Sequence, residues 1–179
     1  MNTREKTGWN LTTKELALMV MESVAFIAQI VLCLFFYNQL GIAIFVYLGW
    51  AIFFVAMVIG WQARVAFENK GGARAGESLT KTRTVVTSGI YGIVRHPMYL
   101  SFMMFSLALV LLSQHWLNTV LGMIVIGILS SDMRREEQNT LVKFGDQYKV
   151  YMEQVPRMNF VAGILNYLQR KKVDKNKRD

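Results

Sequence analysis

Cysteine occurs once in the 179 residues and proline twice. The lone Cys33 excludes a disulfide framework and a cysteine-built zinc site alike, and reads as a small core residue inside an apolar run. Acidic residues are sparse as well, 12 against 20 lysines and arginines, for a formal net charge of +8. The most informative absence is positional: no charged side chain occurs from Ser23 to Ala63, and from Met98 to Ser131 the chain has no acidic or basic residue except His115. Also missing is any glycine-rich loop after a strand-like run or any alternating βα pattern, which excludes a Rossmann nucleotide domain. What is present is apolar: 53% hydrophobic residues and a mean hydropathy of +0.29 exceed what a soluble domain of this size carries.

The uncharged stretch from 23 to 63 is about twice the roughly 20 residues that cross a ~30 Å hydrocarbon core, so it predicts two spans and a turn. Asn38-Gln39-Leu40-Gly41 is its only polar and turn-forming interruption, which sets helix one at about residues 15–37 and helix two at about 42–63. The second stretch, 98–131, breaks near Ser113-Gln114-His115-Trp116. Each half then has about 15 residues and a length of about 22 Å, short of a full crossing. Either these helices extend into their polar flanks or they form a hairpin beside a thinned or water-accessible region.

Positive charge gives the orientation. Six basic residues lie between Arg64 and His96, eleven follow Ser131, three precede the first span, and the two short turns have none. Both termini and the central loop are therefore expected in the cytoplasm, of a cell membrane in a prokaryote or the endoplasmic reticulum in a eukaryote. The expected fold class is all-α: a polytopic membrane helical bundle of about four to five transmembrane helices with a cytoplasmic C-terminal helical cap. It reads as one domain: an N-terminal hairpin (1–63), a cytoplasmic loop leading into a motif (64–97), a second hairpin (98–131), C-terminal helices (132–168) and a basic tail (169–179). Gly71, Gly72 and Gly76 among basic residues suggest a loop that folds over something. The tail suits anionic headgroups of membrane lipids, and this topology does not suggest nucleic acid.

Two polar clusters remain to be explained. Gly89-Ile-Tyr-Gly-Ile-Val-Arg-His-Pro-Met-Tyr99 sets an arginine, a histidine and two tyrosines against the start of an apolar run. Read plainly, Pro97 opens helix three, where its missing N–H costs nothing, and Arg95 and His96 are interfacial anchors. Read functionally, the start of that helix offers free N–H groups and a positive dipole end to a carboxylate-bearing ligand, with Tyr91 and Tyr99 adding flat surfaces and hydroxyls. The second cluster, Arg134-Arg135-Glu136-Glu137, is by itself an ordinary solvated helix turn. Beyond it Leu141, Phe144, Tyr148, Tyr151 and Val155 recur at helical spacing, and counting back places Glu137 and Arg134 on the same face until Pro156 ends the helix. Phe160 to Tyr167 reads as a short interfacial piece.

Taken together, Gly-x-Tyr-x-x-x-Arg-His-Pro-x-Tyr, a hydrophobic hairpin, Glu-Glu and Phe144-Gly145-x-x-Tyr148-x-x-Tyr151-x-x-x-Val155-Pro156 resemble the isoprenylcysteine carboxyl methyltransferase family and its phospholipid methyltransferase relatives. The resemblance covers about residues 83–157, and residues 1–82 match in topology alone. It implies an all-helical membrane methyltransferase that uses S-adenosyl-L-methionine, releases S-adenosyl-L-homocysteine, and acts on an isoprenylated cysteine substrate entering from the bilayer. On the same resemblance Val85, Val86 and Tyr91 line the adenine pocket, and His96, Pro97, Met98 and Tyr99 bind the cofactor. Glu136 or Glu137 holds the methionine amino group, helical periodicity favouring Glu137. Arg134 or Arg135 steers the substrate carboxylate.

Carboxyl methylation asks for alignment and exclusion of water rather than a general base or a metal, because the carboxylate is already a nucleophile and the sulfonium methyl is already activated. The eleven methionines suit an adaptable apolar channel or plain lipid-facing positions. Three alternatives share parts of this pattern: a phosphatidylethanolamine-type N-methyltransferase, an NADPH-dependent sterol reductase-like enzyme, and a non-enzymatic membrane scaffold.

Overall fold

A computed structural model of the protein describes residues 13–70 and 85–176. Its order is α1 (Thr13–Phe35), α2 (Ala43–Lys70), a 3₁₀ turn (Gly89–Gly92), α3 (Pro97–Ser113), α4 (Trp116–Phe144), α5 (Asp146–Gln154) and α6 (Phe160–Asn176), with no strand among the described residues. This is the expected all-helical membrane bundle. The most apolar window of α2 has a mean hydropathy of 2.4, yet only 17% of it is buried, so its hydrophobic surface faces lipid rather than a protein interior. Two helices are long and apolar enough to cross a bilayer, Ala43–Asn69 and Trp116–Phe144; Val20–Phe35 and Pro97–Ser113 are apolar but shorter.

Lipid is as apolar as leucine, so helices here associate through close fit and polar contacts rather than by escaping water. The α2–α3 seam follows that rule. Gly49, Ala56, Gly60 and Ala63 line one side of α2, and a Cβ on Gly49 would sit 2.9 Å from Leu112 while one on Gly60 would sit 3.1 Å from Ser101 Oγ. The pairing runs 49 with 112 and 60 with 101, so the two helices are antiparallel. Buried Gln29 ties α1 to α3 reciprocally: its Nε2 donates to the Ser106 carbonyl at 3.0 Å and its Oε1 accepts from Ser106 Oγ at 3.0 Å.

The two hairpin turns meet at one end of the bundle. Asn38 and Gly41 have φ of 53° and 68°, the left-handed backbone that the polar interruption was expected to supply. Gln114 clasps the turns together, donating to Asn38 Oδ1 and the Ile42 carbonyl, both at 2.9 Å, and accepting from Ile42 N at 3.0 Å. His115 stacks on Phe36 with ring centres 4.1 Å apart.

Several sequence-derived boundaries shift. Helix two was expected to stop at Ala63 but continues to Lys70, so Arg64–Lys70 is helix and not loop; Arg64 and Glu68, one turn apart, form an ion pair at 2.8 Å. Residues 71–84, with Gly71, Gly72 and Gly76, lie outside the described residues. Helix four does not end at Ser131. It runs unbroken through Arg134–Glu137 to Phe144, about 44 Å at 1.5 Å per residue, which resolves the shortfall of length by extension into the polar flank. Conversely, the single face Leu141–Val155 is carried by two helices. Gly145, at φ 55° and ψ −128°, occupies backbone space that only glycine enters freely, and it separates α4 from α5. The tail also differs: residues 169–176 belong to a 17-residue α6 rather than to a solvated coil, because one of its faces is docked.

Candidate active site

Three segments distant in sequence converge at the end of the bundle opposite the hairpin turns. Residues 85–87 have no regular structure, Ser88 is extended, the 3₁₀ turn Gly89–Gly92 follows, and the backbone then pairs with residues 156–157: Arg95 N donates to the Pro156 carbonyl at 3.1 Å and His96 N to that of Arg157 at 3.3 Å. His96 is the N-cap residue of α3 and Pro97 its first helical residue, where a fixed φ suits the helix and no N–H is needed. The pairing holds Arg95 and His96 beside Glu137, whose place on α4 is buried because Met133, one turn earlier, shares the inward stripe.

The result is a buried ion cluster. Glu137 Oε1 lies 2.8 Å from Arg95 Nη1 and 3.7 Å from His96 Nε2, while Oε2 accepts from Arg157 Nη2. The side chains of Arg95 and Glu137 are 8% and 6% exposed, that of Arg157 43%. Despite these distances, Arg95 Nε and Nη1, His96 Nε2 and Glu137 Oε1 have no aligned hydrogen-bond partner among the described residues. Buried polar atoms are normally paired, and buried charges need good hydrogen bonds to offset their desolvation. Here donors and an acceptor stand unsatisfied side by side. Burial holds the His96 imidazole below its ordinary titration range; Arg95 and Arg157 add to that and Glu137 only partly opposes it, so the ring is neutral at physiological pH.

Tyrosines surround the cluster. Burial pushes the phenol of Tyr148 up to about 12, with Glu137 adding to the effect, and burial likewise raises Tyr91 and Tyr151. All three therefore keep their hydroxyl protons, and Tyr151 Oη donates to the Tyr91 carbonyl at 2.7 Å. Tyr148, Tyr151 and Val155 form one packed group with Val85, Leu141 and Phe144, whereas Val86 and Tyr91 pack with Ala63, Phe67, Met98 and Phe160. Val85 and Val86 thus pack in two different groups, which the Tyr151–Tyr91 hydrogen bond joins. Met98 is half-buried against the Tyr91 group, and Tyr99 meets His96 edge-on at 5.8 Å between ring centres.

The second cluster divides. Glu137 points inward, as periodicity favoured; Glu136 is exposed along its length but within hydrogen-bonding reach of the Tyr99 hydroxyl. Arg134 is exposed and stands outside the ion cluster, and Arg135 turns back to Asp132 at 3.5 Å. The arginines at the cluster are Arg95 and Arg157 instead. Sequence gave a signal for the first, adjacent to His96 and Pro97, but read it as an anchor; Arg157, 20 positions from Glu137, has no periodic relation to it. Among the described residues no group of His, Cys, Asp or Glu side chains could hold a metal ion.

An apolar groove of about 450 Å³ opens beside this cluster between α2 and α3, lined by Met57, Gly60, Trp61, Met98, Phe102 and Phe105 among others. Met98 belongs both to the groove and to the Tyr91 group, so the two share a wall. The all-helical bundle thus carries a buried, incompletely bonded ion cluster at one end of its apolar helices, next to an apolar groove.

Residues 42–147, more than half of the chain, match the model of the family described as phospholipid methyltransferase. The chain belongs to that family. It is also 36% identical over 77 residues to the protein-S-isoprenylcysteine O-methyltransferase of Schizosaccharomyces pombe, a stretch covering 42% of this chain and 33% of that relative. The match thus spans about a third of the relative's length. No solved structure matches the chain.

Proposed function

We propose that the protein transfers a methyl group from S-adenosyl-L-methionine to the C-terminal carboxylate of an isoprenylated cysteine, at the end of the bundle built by Arg95, His96 and Glu137. The observation that carries this reading is the set of unsatisfied buried atoms. The methionine end of the cofactor is a zwitterion. Glu137 Oε1, ion-paired with Arg95 but without an aligned hydrogen bond, can accept from an ammonium, while Arg95 Nε and the first turn of α3 offer donors to a carboxylate. Neutral His96 offers Nε2 beside them without adding charge. Tyr91, Val86 and Phe67 provide the flat apolar surface that an adenine needs. When bound, the cofactor supplies a methyl group already activated by its sulfonium centre. The residues therefore bind and orient; none has to remove a proton from a carboxylate nucleophile.

The substrate follows from the groove. An isoprenyl chain lying between α2 and α3 reaches Met98, which brings its polar end to the His96 side of the site and leaves water behind as the chain enters. Arg157, whose side chain remains 43% exposed, is the cation placed to meet a substrate carboxylate arriving from the aqueous side, the role that the sequence offered to Arg134 or Arg135. The charged end of the bundle is read as cytoplasmic, with both termini on that side.

A second reading, methylation of a phospholipid amine, is favoured by the description of the matching family and by Glu136 beside Tyr99, an anionic group for an ammonium headgroup. Calorimetric titration of the detergent-purified protein with S-adenosylhomocysteine, and with NADPH in parallel, tests the cofactor. Binding of the first alone is expected, and binding of NADPH alone would sink the proposal. Radiolabelled methyl transfer then separates the substrates: base-labile methyl ester on a farnesylated cysteine analogue supports the first reading, base-stable label on phosphatidylethanolamine the second.

A further inference from the structure

Helix α6 lies beyond the 42–147 stretch matched by the family, in a region whose sequence reads as a short interfacial piece followed by a solvated basic tail. It begins at a side-chain cap, Asn159 Oδ1 accepting from Ala162 N at 3.0 Å, two residues after Arg157. Phe160, Gly163, Tyr167 and Arg170, spaced by three and four, form one face, and that face lies on the turn carrying Tyr91. Phe160 packs in the Tyr91 group. Gly163 sits so close to the backbone of Ile93 that a Cβ there would overlap the Ile93 carbonyl oxygen. A Cβ on Gly92 would in turn sit 3.3 Å from the Tyr167 ring. Arg170 Nη2 donates to the Gly92 carbonyl at 2.6 Å.

The turn depends on these contacts. Beyond the bonds within the 3₁₀ element itself, Ile93 N and Val94 N both donate to the Ile90 carbonyl at 3.0 Å. The next two carbonyls, of Tyr91 and Gly92, are taken by side chains from the C-terminal region, Tyr151 and Arg170. A short 3₁₀ turn with a glycine at each end has little rigidity of its own, so its shape, and with it the approach of Arg95 and His96 to Glu137, is set from outside.

We propose that α6 is a clamp on the Gly89–Val94 turn and that Gly163 and Arg170 are positioning residues for the cofactor site, acting through the turn without touching the ion cluster. The proposal rests on the reading of that site as the cofactor's. Arg170 fixes the turn by a charge-assisted bond to a backbone carbonyl, and Gly163 allows the helix to come close enough for that bond to form.

The test uses the full chain in lipid nanodiscs, with Gly163→Ala, Arg170→Ala and Arg170→Lys. Alanine raises helix propensity at 163, so any loss there reports the contact with Ile93 and not a weakened helix. In both alanine variants, amide hydrogen exchange over residues 89–96 is expected to rise without ligand present, and affinity for S-adenosylhomocysteine to fall about tenfold, the weight of one charge-assisted hydrogen bond. The KM for the methyl donor should rise with kcat little changed, and Arg170→Lys should recover most of the loss. Exchange at 89–96 indistinguishable from wild type would overturn the clamp, as would unchanged affinity in variants of a wild type that binds. A wild type that binds no S-adenosylhomocysteine refutes the cofactor reading instead, and the exchange experiment then decides the clamp alone.

Discussion

The two ends of the bundle bury polar groups of different kinds: neutral ones at the hairpin turns, where Ser113 Oγ and Asn118 Oδ1 lack a partner among the described residues, and charged ones at the other end. At the hairpin-turn end, Gln114 uses both Nε2 hydrogens and its Oε1 in three bonds of 2.9–3.0 Å, and Gln29 in mid-bundle is matched at both of its amide atoms by Ser106. At the other end Arg95 and Glu137 are as well buried and carry full charges, neutral His96 lies beside them, and four polar atoms of the three lack aligned partners among the described residues. Satisfied amides fix helices in place. An incompletely bonded charged cluster costs more stability than a neutral group in the same place, and it is at this end that we propose the cofactor binds.

The largest expected break in this contrast is at Glu137. Glu137→Ala leaves Arg95 as an uncompensated buried charge, which costs about 3–5 kcal/mol of stability as well as binding of S-adenosylhomocysteine. Glu137→Gln should be better folded and still fail to bind, as measured by a thermal melt beside a titration. At the opposite end, Gln114→Ala strands the Ile42 amide and carbonyl and should cost about 1–3 kcal/mol, yet leave affinity in the folded fraction unchanged. If it lowered affinity, the two ends would not be independent.

Arginines sharpen the comparison within the site. Arg157→Ala should weaken binding or turnover about tenfold, whereas exposed Arg134→Ala should stay within about twofold of wild type. The pH dependence follows from His96, whose folded value lies below its ordinary 6.5. Above pH 6.5 the ring is neutral in both folded and unfolded chains, so it contributes no pH dependence there. Below 6.5 the unfolded chain takes up a proton that the folded one refuses, and stability falls by up to about 1.4 kcal/mol per pH unit. His96→Gln should flatten that limb of a denaturation midpoint measured against pH. The smallest effect is expected from truncation after Arg170, which keeps every contact that α6 makes with the turn and should leave activity near wild type.

Much of this arrangement was legible in the sequence. The uncharged runs located both hairpins, because the hydrocarbon core tolerates few charges and demands a minimum length. Asn38 and Gly41 marked one turn by their tolerance of left-handed backbone. Periodicity pointed Glu137 inward, because counting back one turn from Leu141 reaches it, and in the structure Glu137 is buried. The same argument misplaced Arg134, since a helix face about 60° away from Glu137 already looks outward, and it merged α4 with α5 because Gly145 breaks the backbone without breaking the apolar pattern.

What the sequence by itself determined is the class of solution: all helices, two apolar hairpins, polar residues confined to their ends, and a motif whose proline starts a helix. These follow from local preference and from the cost of placing charge or unpaired backbone in lipid, both of which act on neighbouring residues. The tertiary structure decided which side chains meet. Arg95 and Arg157 close on one carboxylate from opposite sides of it in the chain, Val85 and Val86 part to different walls, and Arg170 reaches back 78 residues to hold Gly92. Such meetings depend on the rotation and approach of packed helices, set by contacts as small as a glycine against a carbonyl, and no periodicity along the chain encodes them.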